Sequence, residues 1–291
     1  MKTSGFTIVR NAVKYDYPVV EAITSILPLC DEMIVLAGDS EDDTLDLIQS
    51  IKSSKIKIYR SVWDNSLRTG GRVMAVETDK AFDLVSPDSD WAFYIQADEV
   101  IHEKYHPAIR EAMERWKDDA RVEGLLFKYK HFYGNYKFVG DSRTWYNHEI
   151  RIIKNDKRIR SYRDAQGFRK NGKTKLRVIP VDACVFHYGW VRNPYKMRTK
   201  TLGISELYNR EEEVATLRKE ELYDYSKIDS LTLFDETHPQ VMLERINSMD
   251  WDFEHNINHK NFGFKDSILY KIEQLTGRRL FEYRNYLIIN K

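Results

Sequence analysis

The stretch "GDSEDDTLDLI", residues 38–48, sets four acids, Asp39, Glu41, Asp42 and Asp43, within five positions directly after an apolar run. Like charges crowded at a strand end repel one another, so a helix N-terminus, a bound ligand or water must offset the cost. Two more polar groups follow apolar runs: Asp98 and Glu99 in "YIQADEV", and His187 in "VFHYGW". A carboxylate such as Asp98 suits a hard cation like Mg2+, and an imidazole such as His187 would add nitrogen and favour Mn2+. The plainer reading of His187, between Phe186 and Tyr188, is a satisfied core histidine. In "TGGRVMA", Arg72 follows Gly70 and Gly71 at a helix start, where N–H groups and a guanidinium can take an anion; a structural cap is the alternative.

Strands alternating with helices must position these groups. "GFTIVRN" (5–11), "EMIVLAG" (32–38), "KIKIYRSVW" (55–63) and "WAFYIQAD" (91–98) read as strands. "DYPVVEAITSILP" (16–28), "DDTLDLIQSIK" (42–52) and "GGRVMAVETDKAFDLV" (70–85) read as the intervening helices, the first with Pro18 in its opening turn. This alternation predicts an α/β fold with a mostly parallel central sheet, helices on both faces, and ligands at the carboxyl ends of the strands. Asp42 and Asp43 are then accounted for by the helix they precede. Asp39 is not, which leaves it available to a ligand or as a plain turn acid.

Beyond residue 100, "HPAIREAMERWKDD" (106–119) reads as a helix, and "EGLLFKYKHFYG" (123–134), "HEIRIIKN" (148–155) and "LRVIPVDACVFHYGW" (176–190) read as strands. From Pro194 the pattern is mainly helical. We expect one domain over 1–192, split into halves of about 1–100 and 101–192, and a mainly helical extension over 193–291.

The 291 residues carry 46 Lys+Arg against 45 Asp+Glu, a balance that gives no reason to expect a nucleic-acid partner. Cys30 and Cys184 each sit in apolar sequence, as buried free thiols of a reducing compartment would. "MKTSGFTIVRN" lacks the apolar core of a secretory signal, and the longest apolar stretch is interrupted by Glu21. We expect a cytoplasmic protein, with at most peripheral contact to the inner face of a membrane. The aromatic-rich tail leaves room for a homodimer.

The order "FTIVRNAVKYDYPVVEAITSILPLCDEMIVLAGDSEDDTLDLI", then "QADE", then "HEIRII" and "FHYGW", resembles the family 2 glycosyltransferases of GT-A fold. The resemblance is good to about residue 100, weaker to about 190, and absent in the tail. It implies an inverting transfer from a nucleotide-diphosphate sugar, UDP-linked by expectation, to a saccharide or lipid-linked saccharide acceptor, with a role in polysaccharide biosynthesis. It also implies that Asp39 contacts uracil or ribose, that Gln96 and Asp98 occupy the places of the family's two acids, and that Asp98 and His187 hold a divalent Mg2+ or Mn2+. Gln96 departs from the pattern, since an amide brings no charge to a cation. Arg151 matches the family's strand arginine near the acceptor. The catalytic base is expected downstream of that strand, first Asp164 and second Glu149, and Arg72 is a candidate for the diphosphate.

The basic run from Arg151 to Arg177 is either a charged surface or a loop over the diphosphate. Two rival functions remain. One is a GT-A-like module without catalysis that binds a glycan or partner, which Gln96 favours. The other is a nucleotidyltransferase, which the absence of glycine from "VRNAVKYDYP" disfavours.

Overall fold

A computed structural model describes residues 1–67, 69–208 and 210–289. In chain order the elements are β1 (Thr3–Val9), α1 (Val19–Ile26), β2 (Glu32–Ala37), α2 (Thr44–Gln49), β3 (Ile56–Arg60), α3 (Arg72–Asp83), β4 (Trp91–Tyr94) and β5 (Glu99–Ile101). These are followed by α4 (His106–Trp116), β6 (Gly124–Tyr133), β7 (Phe138–Gly140), β8 (His148–Lys154), β9 (Ile159–Tyr162), β10 (Gly167–Lys170) and β11 (Thr174–Trp190). The remaining part of the chain adds α5 (Pro194–Leu207), α6 (Glu211–Leu217), β12 (Leu231–Leu233), α7 (Leu243–Asn247), α8 (Phe264–Thr276) and β13 (Tyr286–Ile288).

The sheet runs β3-β2-β1-β4-β8-β6-β11-β10-β9. Its first four strands are mutually parallel, β8 is antiparallel to both β4 and β6, and β11 returns parallel to β6. This is the α/β class expected from the alternation. Every residue of β2 is buried, and its side chains divide between the two faces. Met33, Val35 and Ala37 pack with Ile23 and Ile26 of α1 and Met113 of α4, whereas Ile34 and Leu36 pack with Ala81 and Phe82 of α3. Helices on both faces explain why these strands are continuous apolar runs rather than alternating ones.

The strand expected over 91–98 stops at Tyr94. The Glu99 N–H then bonds the Gln96 carbonyl at 3.1 Å, and the Glu99 carboxylate accepts the Gln96 N–H at 3.1 Å. The resulting turn carries Asp98 off the strand tip and sends β5 antiparallel along β11. Beyond β11, β12 pairs with β7 and β13 with β11, so sequence past residue 193 is woven into the sheet. Both cysteines are free and buried, and no described helix is long and apolar enough to cross a membrane.

Candidate active site

A cavity of about 560 Å³ opens where β1 and β4 end, within the size range of small-molecule sites. Val9, Arg10 and Asn11 approach it from the end of β1, and Tyr94, Gln96, Ala97 and Asp98 from the turn after β4. Trp63 and Tyr17 contribute aromatic surface, while Lys200, Gly203, Ile204, Leu207 and Tyr208 close it from α5 and its end. Gly38 lets the Trp63 indole come close, because a Cβ there would stand 2.5 Å from Nε1.

The acids of residues 39–42 are answered from the loop after β1. Arg10 Nε lies 3.3 Å from an Asp39 oxygen, and Lys14 Nζ lies 2.8 Å from Glu41. Asp42 accepts the backbone N–H groups of Lys14 at 2.6 Å and Thr44 at 3.1 Å. Asp39 also accepts the Trp63 N–H at 3.2 Å. Asp39 is therefore one step removed from the cavity, whose lining includes its partners Arg10 and Trp63.

Asp98 is buried at the cavity floor. Its Oδ2 accepts a hydrogen bond from Lys200 Nζ at 3.0 Å, and its Oδ1 lies 3.7 Å from His187 Nε2. Burial alone would raise its pKa, but Lys200, His187 and Arg192 outweigh burial and hold it well below the usual carboxylate range. His187 is pushed down to about 4 by burial, so it is neutral at pH 7; its Nδ1 lies 3.0 Å from Nδ1 of His131. Burial also pulls Lys200 down, to about 8, which leaves it mostly protonated at neutral pH. Gly189 permits this crowding, since a Cβ there would come within 2.5 Å of His187 Nε2.

Arg192 completes the cluster. It is fully buried, donates to the carbonyls of Tyr15 at 2.7 Å and Gly189 at 2.6 Å, and its guanidinium stands 5.0 Å from the Tyr17 ring centroid. Its Nη2 is buried without a partner among the described residues. Asp98 thus faces two buried cations, Lys200 and Arg192.

The other expected site residues fall in four places. Gln96 lines the cavity and donates to the Ala165 carbonyl at 3.1 Å. Asp164 lines it too, accepting the Tyr208 hydroxyl at 2.5 Å. Arg72 is exposed and borders an adjacent cavity of about 670 Å³ that shares Asp164, Gln166 and Tyr208 with the first.

Arg151 does not reach any cavity. It is fully buried, pairs with Glu99 through contacts of 2.7 and 2.8 Å, and donates to the Gln166 carbonyl at 2.8 Å. β8 is buried on both sides there, so an arginine needed an internal carboxylate, and Arg151 supports the Gln96–Glu99 turn rather than touching a ligand. Glu149 lines a different cavity, of about 420 Å³, and accepts the Ile150 N–H at 2.9 Å. Burial raises its pKa to about 7.

Within the basic run, Arg158 pairs with Asp156, Arg160 with Asp83, and Lys170 and Arg177 with Glu123. Among the described residues, no group of three or more His, Cys, Asp or Glu side chains is arranged to hold a metal ion.

Sequence reasoning missed Lys200, Arg192, Tyr17, Trp63 and Tyr208. One signal was present for Lys200. Residues 200, 203, 204 and 207 follow helical spacing, which places a lysine in an otherwise small and apolar stripe.

No protein-family model and no curated protein sequence matches this chain. Solved structures that align with it include S. aureus TarS, 14% identical over 70% of this chain and 39% of that chain, with a TM-score of 0.38. This chain therefore spans about two fifths of that protein. TarS 1-349 in complex with UDP-GlcNAc is 13% identical over 75% of this chain and 72% of that one, with a TM-score of 0.40. Glucosyl-3-phosphoglycerate synthase from Mycobacterium tuberculosis, in complex with Mn2+, UDP and glucosyl-3-phosphoglycerate, is 17% identical over 46% of this chain and 45% of that one, with a TM-score of 0.30.

Proposed function

We propose that the chain is an inverting GT-A glycosyltransferase. It takes a sugar from a nucleotide-diphosphate donor, UDP-linked in our reading, and passes it to a saccharide or lipid-linked saccharide acceptor. The observation that carries this reading is the cavity at the ends of β1 and β4, where aromatic surface adjoins a buried cluster of two cations and one carboxylate. A base and ribose fit the aromatic part, and a diphosphate fits the cationic part.

Transfer requires a base for the acceptor hydroxyl. Asp164 is our choice, because its carboxylate lines the same cavity and the Tyr208 hydroxyl orients it. The acceptor oxygen loses its proton to Asp164 and bonds the anomeric carbon. The bond from that carbon to the phosphate oxygen breaks, and the nucleoside diphosphate leaves with the electron pair. A transition state of oxocarbenium character is expected.

A divalent cation at Asp98 and His187 fits these residues poorly. Among the described residues Asp98 is the one carboxylate of the cluster, and Lys200 already occupies one of its oxygens. Waters and donor phosphates can supply most of the roughly six oxygens a hard cation takes, so the obstacle is the ammonium on Asp98 rather than the number of ligands. If an ion binds there, it must first displace the ammonium.

The reading is tested by incubating the chain with UDP-sugars and mixed saccharide and lipid-linked acceptors while measuring UDP release. Acceptor-dependent release is expected. UDP binding without release from any donor would instead favour the non-catalytic glycan- or partner-binding module, and no UDP binding at all would refute the nucleotide site.

A further inference from the structure

The polar groups around Asp98 do not balance. An ammonium has three N–H donors. Lys200 spends one on Asp98 at 3.0 Å and one on the Gly189 carbonyl at 2.6 Å, which leaves a third while its side chain lines the cavity. The same Gly189 carbonyl accepts from Arg192 at 2.6 Å, and Arg192 Nη2 has no partner among the described residues. Both cations also lie over the Tyr17 ring, at 5.1 and 5.0 Å from its centroid. Two buried cations, Lys200 and Arg192, are thus gathered about a single carboxylate, Asp98.

Buried charge left without a counter-ion is costly, so this cluster is built for an anion. A third cation brought to Asp98 would enter the repulsive field of the two already there. We propose that Lys200, positioned by Asp98 and backed by Arg192, is the built-in cation for the donor diphosphate, so that the donor binds without a divalent ion. This rests on the nucleotide-sugar reading above. Asp98 then acts as a positioning residue, holding the ammonium where a phosphate oxygen takes its remaining N–H.

Calorimetric titration of the full chain with UDP and with uridine, each in EDTA and in Mn2+, tests the proposal. UDP should bind in EDTA within about threefold of its affinity in Mn2+. Lys200→Met should weaken UDP by at least about tenfold, as loss of a hydrogen bond to a charged group does, and leave uridine unchanged. Because Lys200→Met strands Asp98, the double variant Asp98→Asn with Lys200→Met removes both charges and is expected to lose UDP in the same way. Circular dichroism establishes that each variant is folded.

UDP binding that vanishes in EDTA and returns with Mn2+, while uridine still binds, would overturn the built-in cation and leave the nucleotide site standing. A folded variant lacking Lys200 that keeps wild-type UDP affinity would overturn it as well. If neither UDP nor uridine binds under any condition, the nucleotide reading itself fails and takes this inference with it.

Discussion

Replacing Glu149 with Gln should make the protein more stable above neutral pH, against the usual trend for buried substitutions. Glu149 is 2% exposed and its pKa rises from 4.5 to about 7 because burial penalises the carboxylate. The unfolded chain therefore gives up this proton at lower pH than the folded chain does. Folded molecules bind more protons between those two values, so stability falls as pH rises from the first to the second and then levels off. The gap corresponds to about 3 kcal/mol. Gln preserves the oxygen that accepts the Ile150 N–H and has no charge to bury. Urea unfolding of both proteins at about pH 5 and about pH 8 measures the difference. The variant should gain up to about 3 kcal/mol over wild type at the higher pH and little at the lower. An equal effect at both would refute the reasoning, because it would mean that the carboxylate ionises as if in water. The same variant should keep acceptor-dependent UDP release, since Glu149 faces a cavity other than the one that holds Asp98.

Asp164→Asn should lower kcat by about 10²–10⁴ and leave UDP affinity unchanged, as expected for loss of a general base; steady-state rates and calorimetry read the two effects separately. Glu99→Gln should cost about 3–5 kcal/mol in urea unfolding by stranding the wholly buried Arg151, and pairing it with Arg151→Met should recover most of that loss.

The first hundred residues were legible because strands covered on both faces, such as β2, leave unbroken apolar runs between amphipathic helices. Asp98 was legible for the same reason, since the carboxylate that closes "WAFYIQAD" stands out against its run. β5, β7, β12 and β13 were not, each having three residues, and β5, β12 and β13 pair only with strands distant in the chain. Arg151 was misplaced because "HEIRII" looks the same whether its arginine points to a ligand or into the core. What decides is Glu99, 52 positions earlier. Lys200 is the sharper case. It sits among Lys196 and Arg198 like any solvated residue of a charged helix, and its meaning comes from a carboxylate 102 positions away. Local pattern reports which face of a helix is apolar, but it does not report what that face meets.

The helix that closes the cleft begins at Pro194, just after β11 ends at Trp190. A ribosome therefore extrudes every strand of the nine-strand path before it delivers the roof. The cavity is thereby completed only after the nine-strand platform has been made, and chimeras that exchange this helix offer a route to altered ligand choice on that platform.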